Sequence, residues 1–128
     1  MYKEIIITVI IVVLVIVGDI LSQRYTEACV EEMNNDLENL KEIILSNSDN
    51  KKINSNISSI ENKWEEMKEK LVYYLEHDEL EKVNTQLTEI KGYLEADEAK
   101  ESISKIENCK FLLTHIKDKE AFNFKNIF

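Results

Sequence analysis

At 128 residues, with 25 acidic against 16 basic side chains and a formal net charge of −9, the chain excludes a nucleic-acid surface, which needs clustered cations. An apolar opening of about 20 residues leaves roughly 105 for one small domain. Proline is absent and glycine occurs only at positions 18 and 92, so little in the sequence interrupts long helices.

Twelve of the thirteen residues from Ile5 to Val17 are apolar, Thr8 being the exception. Ile5 to Leu21, taken as a helix, covers about 25 Å, near the short limit for the hydrocarbon core of a bilayer. Tyr2 and Lys3 flank it on one side and Arg24 and Tyr25 on the other. Tyrosines favour the headgroup zone, and long cations reach outward to water. Asp19 then falls within about one turn of the boundary, where a carboxylate costs far less than at the midplane. Neither alternative fits as well. A cleaved export signal wants a more basic start and small residues soon after the apolar run. A buried soluble helix wants a polar face, and this run is apolar all round. Residues 1–24 therefore read as an uncleaved membrane anchor. The acidic bulk follows the span, which favours the N-terminus inside and the domain outside the cytoplasm.

Beyond the anchor the apolar period changes. Val30, Met33, Leu37, Leu40 and Ile44 recur at alternating spacings of three and four, one narrow seam on a helix continuous with the anchor. SNSDN, Ser46 to Asn50, ends it, because those side chains compete for backbone hydrogen bonds. A second seam runs through Ile53, Ile57, Ile60, Trp64, Met67, Leu71 and Tyr74, with Trp64 as a core residue. In HDELEKV, Asp78 and Glu81 have the spacing of a capping box. The third seam is Leu80, Val83, Leu87, Ile90 and Leu94. Gly92 inside it costs about 1 kcal/mol relative to alanine, and a close helix contact is the expected reason for it. EADEAKE holds the next turn, with Asp97 as a cap. The fourth helix carries Ala99, Ile103, Ile106, Cys109, Leu113 and Ile116, and Phe111 and Leu112 widen its apolar face.

The fold class expected is all-α: a transmembrane helix continuing into an up-down four-helix bundle over residues 25–121. In that topology the fourth helix returns toward the lipid. Residues 122–128 form an aromatic and basic tail containing Phe122, Phe124, Lys125 and Phe128. It fits a bilayer interface, and it fits equally as packing against the base of the bundle.

Catalytic patterns are missing. A di-iron bundle needs Glu three residues before His on facing helices, and Tyr74 precedes His77 while Leu112 precedes His115. There is no P-loop, nucleophile elbow or C-x-x-C. No cofactor, metal or catalytic residue is expected. Cys29 and Cys109 permit a single disulfide, geometrically conceivable between neighbouring first and fourth helices. A buried free thiol is the commoner role.

YKEIIITVIIVVLVIVGD at the start, Trp64 in the middle, YLEHDELEKVNTQLTEIKGYLE and the Lys/Phe-rich ending together resemble an uncharacterised family of short, single-pass helical proteins from low-GC Gram-positive bacteria, known only as a domain of unknown function. The resemblance implies an envelope location and no mechanism. The expected role is a non-enzymatic interaction module. It would be tethered to the lipid bilayer and bind another envelope protein, or itself, through a helix face. The other reading is a ligand- or cation-sensing input domain acting through a membrane partner.

Overall fold

The computed structural model describes residues 1–127, the side chains of Phe124 and Ile127 excepted. Four helices make up the described residues: α1 (Tyr2–Leu45), α2 (Asn50–Leu71), α3 (His77–Glu95) and α4 (Ala99–Ile127). It is an all-α up-down bundle. Each helix packs on its two neighbours, α1 on α2 and α4, and α3 on α2 and α4. α1 runs unbroken through the bundle and 20 residues and more beyond it, so its Ile5–Leu21 stretch projects from one end as bare helix.

Heptad spacing explains the core. Val30, Met33, Leu37, Leu40 and Ile44 of α1 are all buried, as are Ile53, Ile57, Ile60, Trp64, Met67 and Leu71 of α2 and Leu80, Val83, Leu87, Ile90 and Leu94 of α3. α4 adds Ile106, Cys109, Leu113 and Ile116, and a fully buried Ser102 whose hydroxyl donates to the Ala99 carbonyl. The Trp64 indole N–H donates to Asn84 Oδ1 on α3, which meets the polar demand of the largest core side chain. Ion pairs cross the outer seams. Lys63 pairs with Glu32 and Asp36 between α2 and α1, Lys41 with Glu107 between α1 and α4, and Lys105 with Glu89 between α4 and α3. At such exposure each adds little to stability, and their service is to fix which helices are neighbours.

The end of the bundle far from the bare helix is closed by two matching turns. After α1, Asn47 takes φ 57°, its N–H bonding the Ile44 carbonyl and that of Ser48 bonding the Ile43 carbonyl. After α3, Asp97 takes φ 59°, with Asp97 to Leu94 and Glu98 to Tyr93 in the same pattern. Both are Schellman caps, with Asn and Asp at the left-handed position that glycine usually fills. Asn50 Nδ2 donates to Asp97 Oδ1 at 2.9 Å and ties one turn to the other. Asp49 caps α2, accepting from the Lys52 N–H at 2.7 Å.

Several sequence expectations are corrected. Asp97 shapes the exit from α3 by its backbone. α3 starts earlier than a cap at Asp78 allows: Glu76 is the N-cap, and Asp78 lies in the first turn beside Glu79, where acidic residues suit the helix dipole. The seam of α2 ends at Leu71, and Leu75 fills the place expected for Tyr74. Phe111 is exposed on α4 and does not widen the core face. A Cβ at Gly92 would meet nothing within 4 Å, so no close helix approach explains that glycine. Without a contact to lose, only its entropic cost remains. Gly92→Ala is therefore expected to raise the unfolding free energy by about 0.5–1 kcal/mol. Trp64→Ala should lower it by about 3–5 kcal/mol through the cavity it leaves. Urea melts of the full chain in detergent, followed by far-UV circular dichroism, check both signs.

Candidate functional site at the base of the bundle

The base is the end where α1 leaves the bundle, and three elements meet there: α1 around Tyr25, the α2–α3 loop, and the last turns of α4. The loop is short and tied. Val72, Tyr73, Tyr74 and Leu75 N–H groups bond the carbonyls of Lys68, Lys70, Leu71 and Leu71. Leu71 and Leu75 on either side of it are buried and pin it to the core. Tyr74 meets Tyr25 edge-on with ring centroids 6.4 Å apart, and Lys70 Nζ sits 5.7 Å from the Tyr25 ring centroid. The loop therefore lies level with Tyr25, one helical turn past Leu21.

The α1–α4 register sets the third element. Asn34 donates to Thr114, Lys110 pairs with Glu38, and Lys41 pairs with Glu107. Each step up α1 is matched by an equal step down α4. Continuing downward from the Asn34–Thr114 pair sets Phe122 opposite Thr26 and Lys125 opposite Gln23. The last turns of α4 thus cover the side of α1 on which Ser22 and Gln23 are half-buried and Thr26 is buried.

A charged cluster ties α3 to α4 just above. Lys119 Nζ lies 2.9 Å from Glu79 and 3.5 Å from Glu76. Glu79 is nearly buried, so this cation holds a carboxylate that would otherwise lack a partner. Lys119 is thereby engaged in the bundle. Burial pushes the Glu120 carboxyl above its ordinary range, and the carboxylates of Glu79, Asp19 and Glu76 add to the shift against the opposing pull of Lys119.

Tyr2 and Lys3 are exposed at the opposite end of α1, and Arg24 is exposed beside the base. Tyr25 is half-buried between Tyr74 and Lys70. Phe122 and Lys125 are exposed on α4, in its last two turns. Phe128 and the side chain of Phe124 lie outside the described residues. Cys29 and Cys109 are both buried free thiols, not bonded to each other. Among the described residues no three His, Cys, Asp or Glu side chains converge as a metal site would. Sequence reasoning missed the Val72–Tyr73–Tyr74 loop, having placed Tyr74 in the core seam. A pair of tyrosines in a connection this short was the available signal.

The family model described as Domain of unknown function (DUF4363) matches residues 20–127. The chain belongs to that family. No curated protein and no solved structure matches it. The DUF4363 match takes in the whole bundle and its base, and begins at Ile20, where the bare apolar stretch is ending.

Three acidic groups here respond to alkali. Burial pushes the Cys109 thiol up to about 12 and raises that of Cys29. The Tyr25 phenol is also pushed up to about 12, first by burial and then by its hydrogen-bonding contact with Cys29. Unfolded, these groups lose protons near 9 and 10. The unfolded chain therefore gives up protons first as pH rises, and the stability tied to the neutral groups is complete below pH 9 and lost between 9 and 12. Urea midpoints should fall as pH rises from about 9 to 11, and fall less steeply in Cys29→Ala/Cys109→Ala. Equal slopes in the two proteins would contradict this account of the thiols.

Proposed function

We propose that this DUF4363 chain is a membrane-anchored, non-enzymatic helical interaction module of the bacterial cell envelope. The observation that carries the reading is on α1. It holds an 18-residue window apolar enough to cross a bilayer, none of it buried by the rest of the protein. A run of exposed Ile, Val and Leu this long is not tolerated in water, and a helix satisfies its own backbone within lipid. On this reading the first residues lie inside the cell and the acidic bundle outside it. Tyr2, Lys3 and Arg24 mark the two interfaces.

The partner is a second envelope protein or another copy of the chain, met through a helix face. Phe111 supports that role. It is 72% exposed on α4, and an isolated large aromatic on a polar helix suits the centre of a contact. A second reading, as a ligand- or cation-sensing input domain, has one feature in its favour. A groove of about 290 Å³ runs between α2 and α3, with Trp64 in its wall beside Glu61, Glu65, Asn84 and Thr88. Its test is the Trp64 emission and melting temperature of the full chain with divalent cations and small metabolites.

Fractionation tests the anchor. The chain should stay in the membrane pellet through an alkaline carbonate wash. Val13→Arg, at the middle of the apolar stretch, should weaken insertion by about 2.5–3.5 kcal/mol and move much of the protein to the soluble fraction. In intact cells, a membrane-impermeant maleimide should label Asn47→Cys and spare the two buried native thiols. Labelling only after lysis would reverse the orientation. In-membrane crosslinking should give discrete adducts that Phe111→Ala depletes without changing the helical circular dichroism.

A further inference from the structure

The two ends of the bundle differ in kind. The far end is closed by two turns, Ser46–Asp49 and Ala96–Glu98, bonded to each other through Asn50 and Asp97, with Leu45 the exposed large apolar residue there. At the base, the connection between α2 and α3 exposes Val72 (49%), Tyr73 (82%) and Tyr74 (48%), and Phe122 on α4 is 63% exposed at the same end. These are four large apolar or aromatic residues gathered at one end of the bundle. The loop is not slack, because its amides are bonded and Leu71 and Leu75 hold it from both sides. Its display of apolar surface is built in, and in water it would carry a cost that a polar loop avoids.

What covers it follows from α1. The Tyr25–Tyr74 contact fixes the loop level with Tyr25, four residues past Leu21, or about 6 Å along the helix axis. The headgroup layer on one side of a bilayer is about 5–7 Å deep. The α1–α4 register brings Phe122 to the level of Thr26, about 7.5 Å past Leu21 at the outer edge of that layer, and Lys125 to that of Gln23, about 3 Å past Leu21 and inside it. Tyrosine is suited to that layer, with an apolar ring and a polar tip, and Arg24, Lys70 and Lys125 at this level can reach phosphates. We propose that the Val72–Tyr73–Tyr74 loop and Phe122 form a second lipid contact, seating the base of the bundle in the headgroup layer of the leaflet from which α1 emerges. The occupant is the lipid surface, and the proposal rests on α1 being a membrane span. A bundle held at three points stands upright and in a fixed rotation about α1. It presents the same helix faces sideways to neighbours in the membrane, which one flexible tether would not do.

The test reads depth. Nitroxides are placed singly at Val13→Cys, Asn47→Cys and Tyr73→Cys in the full chain with Cys29 and Cys109 replaced by alanine. The protein is reconstituted in vesicles of phosphatidylcholine with phosphatidylglycerol, and power saturation is compared under oxygen and under a nickel chelate. Val13 should favour oxygen and Asn47 nickel. Tyr73 should lie between them, with an oxygen-to-nickel ratio several-fold above that of Asn47. A Tyr73 label as open to nickel as Asn47, with Val13 still in lipid, overturns the seating and leaves the anchor standing. A Tyr73 label shielded from both reagents also overturns it, because protein then covers the loop. A Val13 label open to nickel overturns the anchor and the seating together. Tyr73→Trp with both native cysteines retained gives a second readout: quenching by lipids brominated near the headgroup end of the acyl chain is expected, and its absence counts against the seating.

Discussion

α1 places one backbone element in two surroundings. From Thr26 to Ile44 one stripe of it is buried against α2 and α4, and from Ile5 to Val15 no residue is covered by protein at all. Its peptide groups are paired within the helix along both parts, so the passage from one surrounding to the other needs no loop and no special residue. The rest of the architecture is arranged around that fact. The bundle begins where α1 first acquires a buried residue, and the loop between α2 and α3 and the end of α4 gather around the same point.

Packing and charge divide the work of specifying the bundle. Apolar seams of similar shape on four helices could associate in several orders. The cross-helix pairs of Lys63, Lys41, Lys105 and Lys119 with carboxylates on adjacent helices favour one. They contribute little stability individually, and their value lies in the cost of the wrong neighbours. The Asn47 and Asp97 turns at the far end, linked through Asn50, hold the two hairpins in register there. At the base that task falls to Tyr25, Lys70, Tyr74 and Lys119. The far end, Leu45 apart, is finished as a polar surface. The aromatic base is not, and this asymmetry is the strongest functional signal outside α1.

Most of the fold was legible because heptad spacing is a long-range pattern that single substitutions do not erase. The seams of α1 and α3 are buried residue for residue as their spacing implies, and the break at Ser46–Asp49 falls where side chains compete with the backbone. The misreadings share a cause, since each concerned a place where one local pattern was extended without its neighbours. The Asp78–Glu81 spacing suggested a cap, but Glu76 holds the cap position and Asp78 already lies in the first turn. Tyr74 continued the period of α2, yet the helix ends at Leu71 and the chain turns. Gly92 suggested a close approach, but its face of α3 looks outward. The partner of Lys119 could not be read from the sequence either, because Glu79 lies 40 residues away and only the fold brings the two together. The base was half legible: α4 was expected to return there, but the exposed tyrosine loop depends on helix endings that periodicity does not give.

The central claim is that α1 is a single stiff rod through Gly18 and Asp19, rigidly joining the apolar stretch to the bundle. A pulsed dipolar distance between nitroxides at Ile10→Cys and Asn39→Cys, in the full chain in vesicles with Cys29 and Cys109 replaced by alanine, measures this directly. About 29 residues of unbroken helix give about 44 Å between the two backbone positions, and the account predicts one narrow distribution near that value. A broad distribution, or a main peak well short of it, would mean that the chain bends between the apolar stretch and the bundle and would contradict the account.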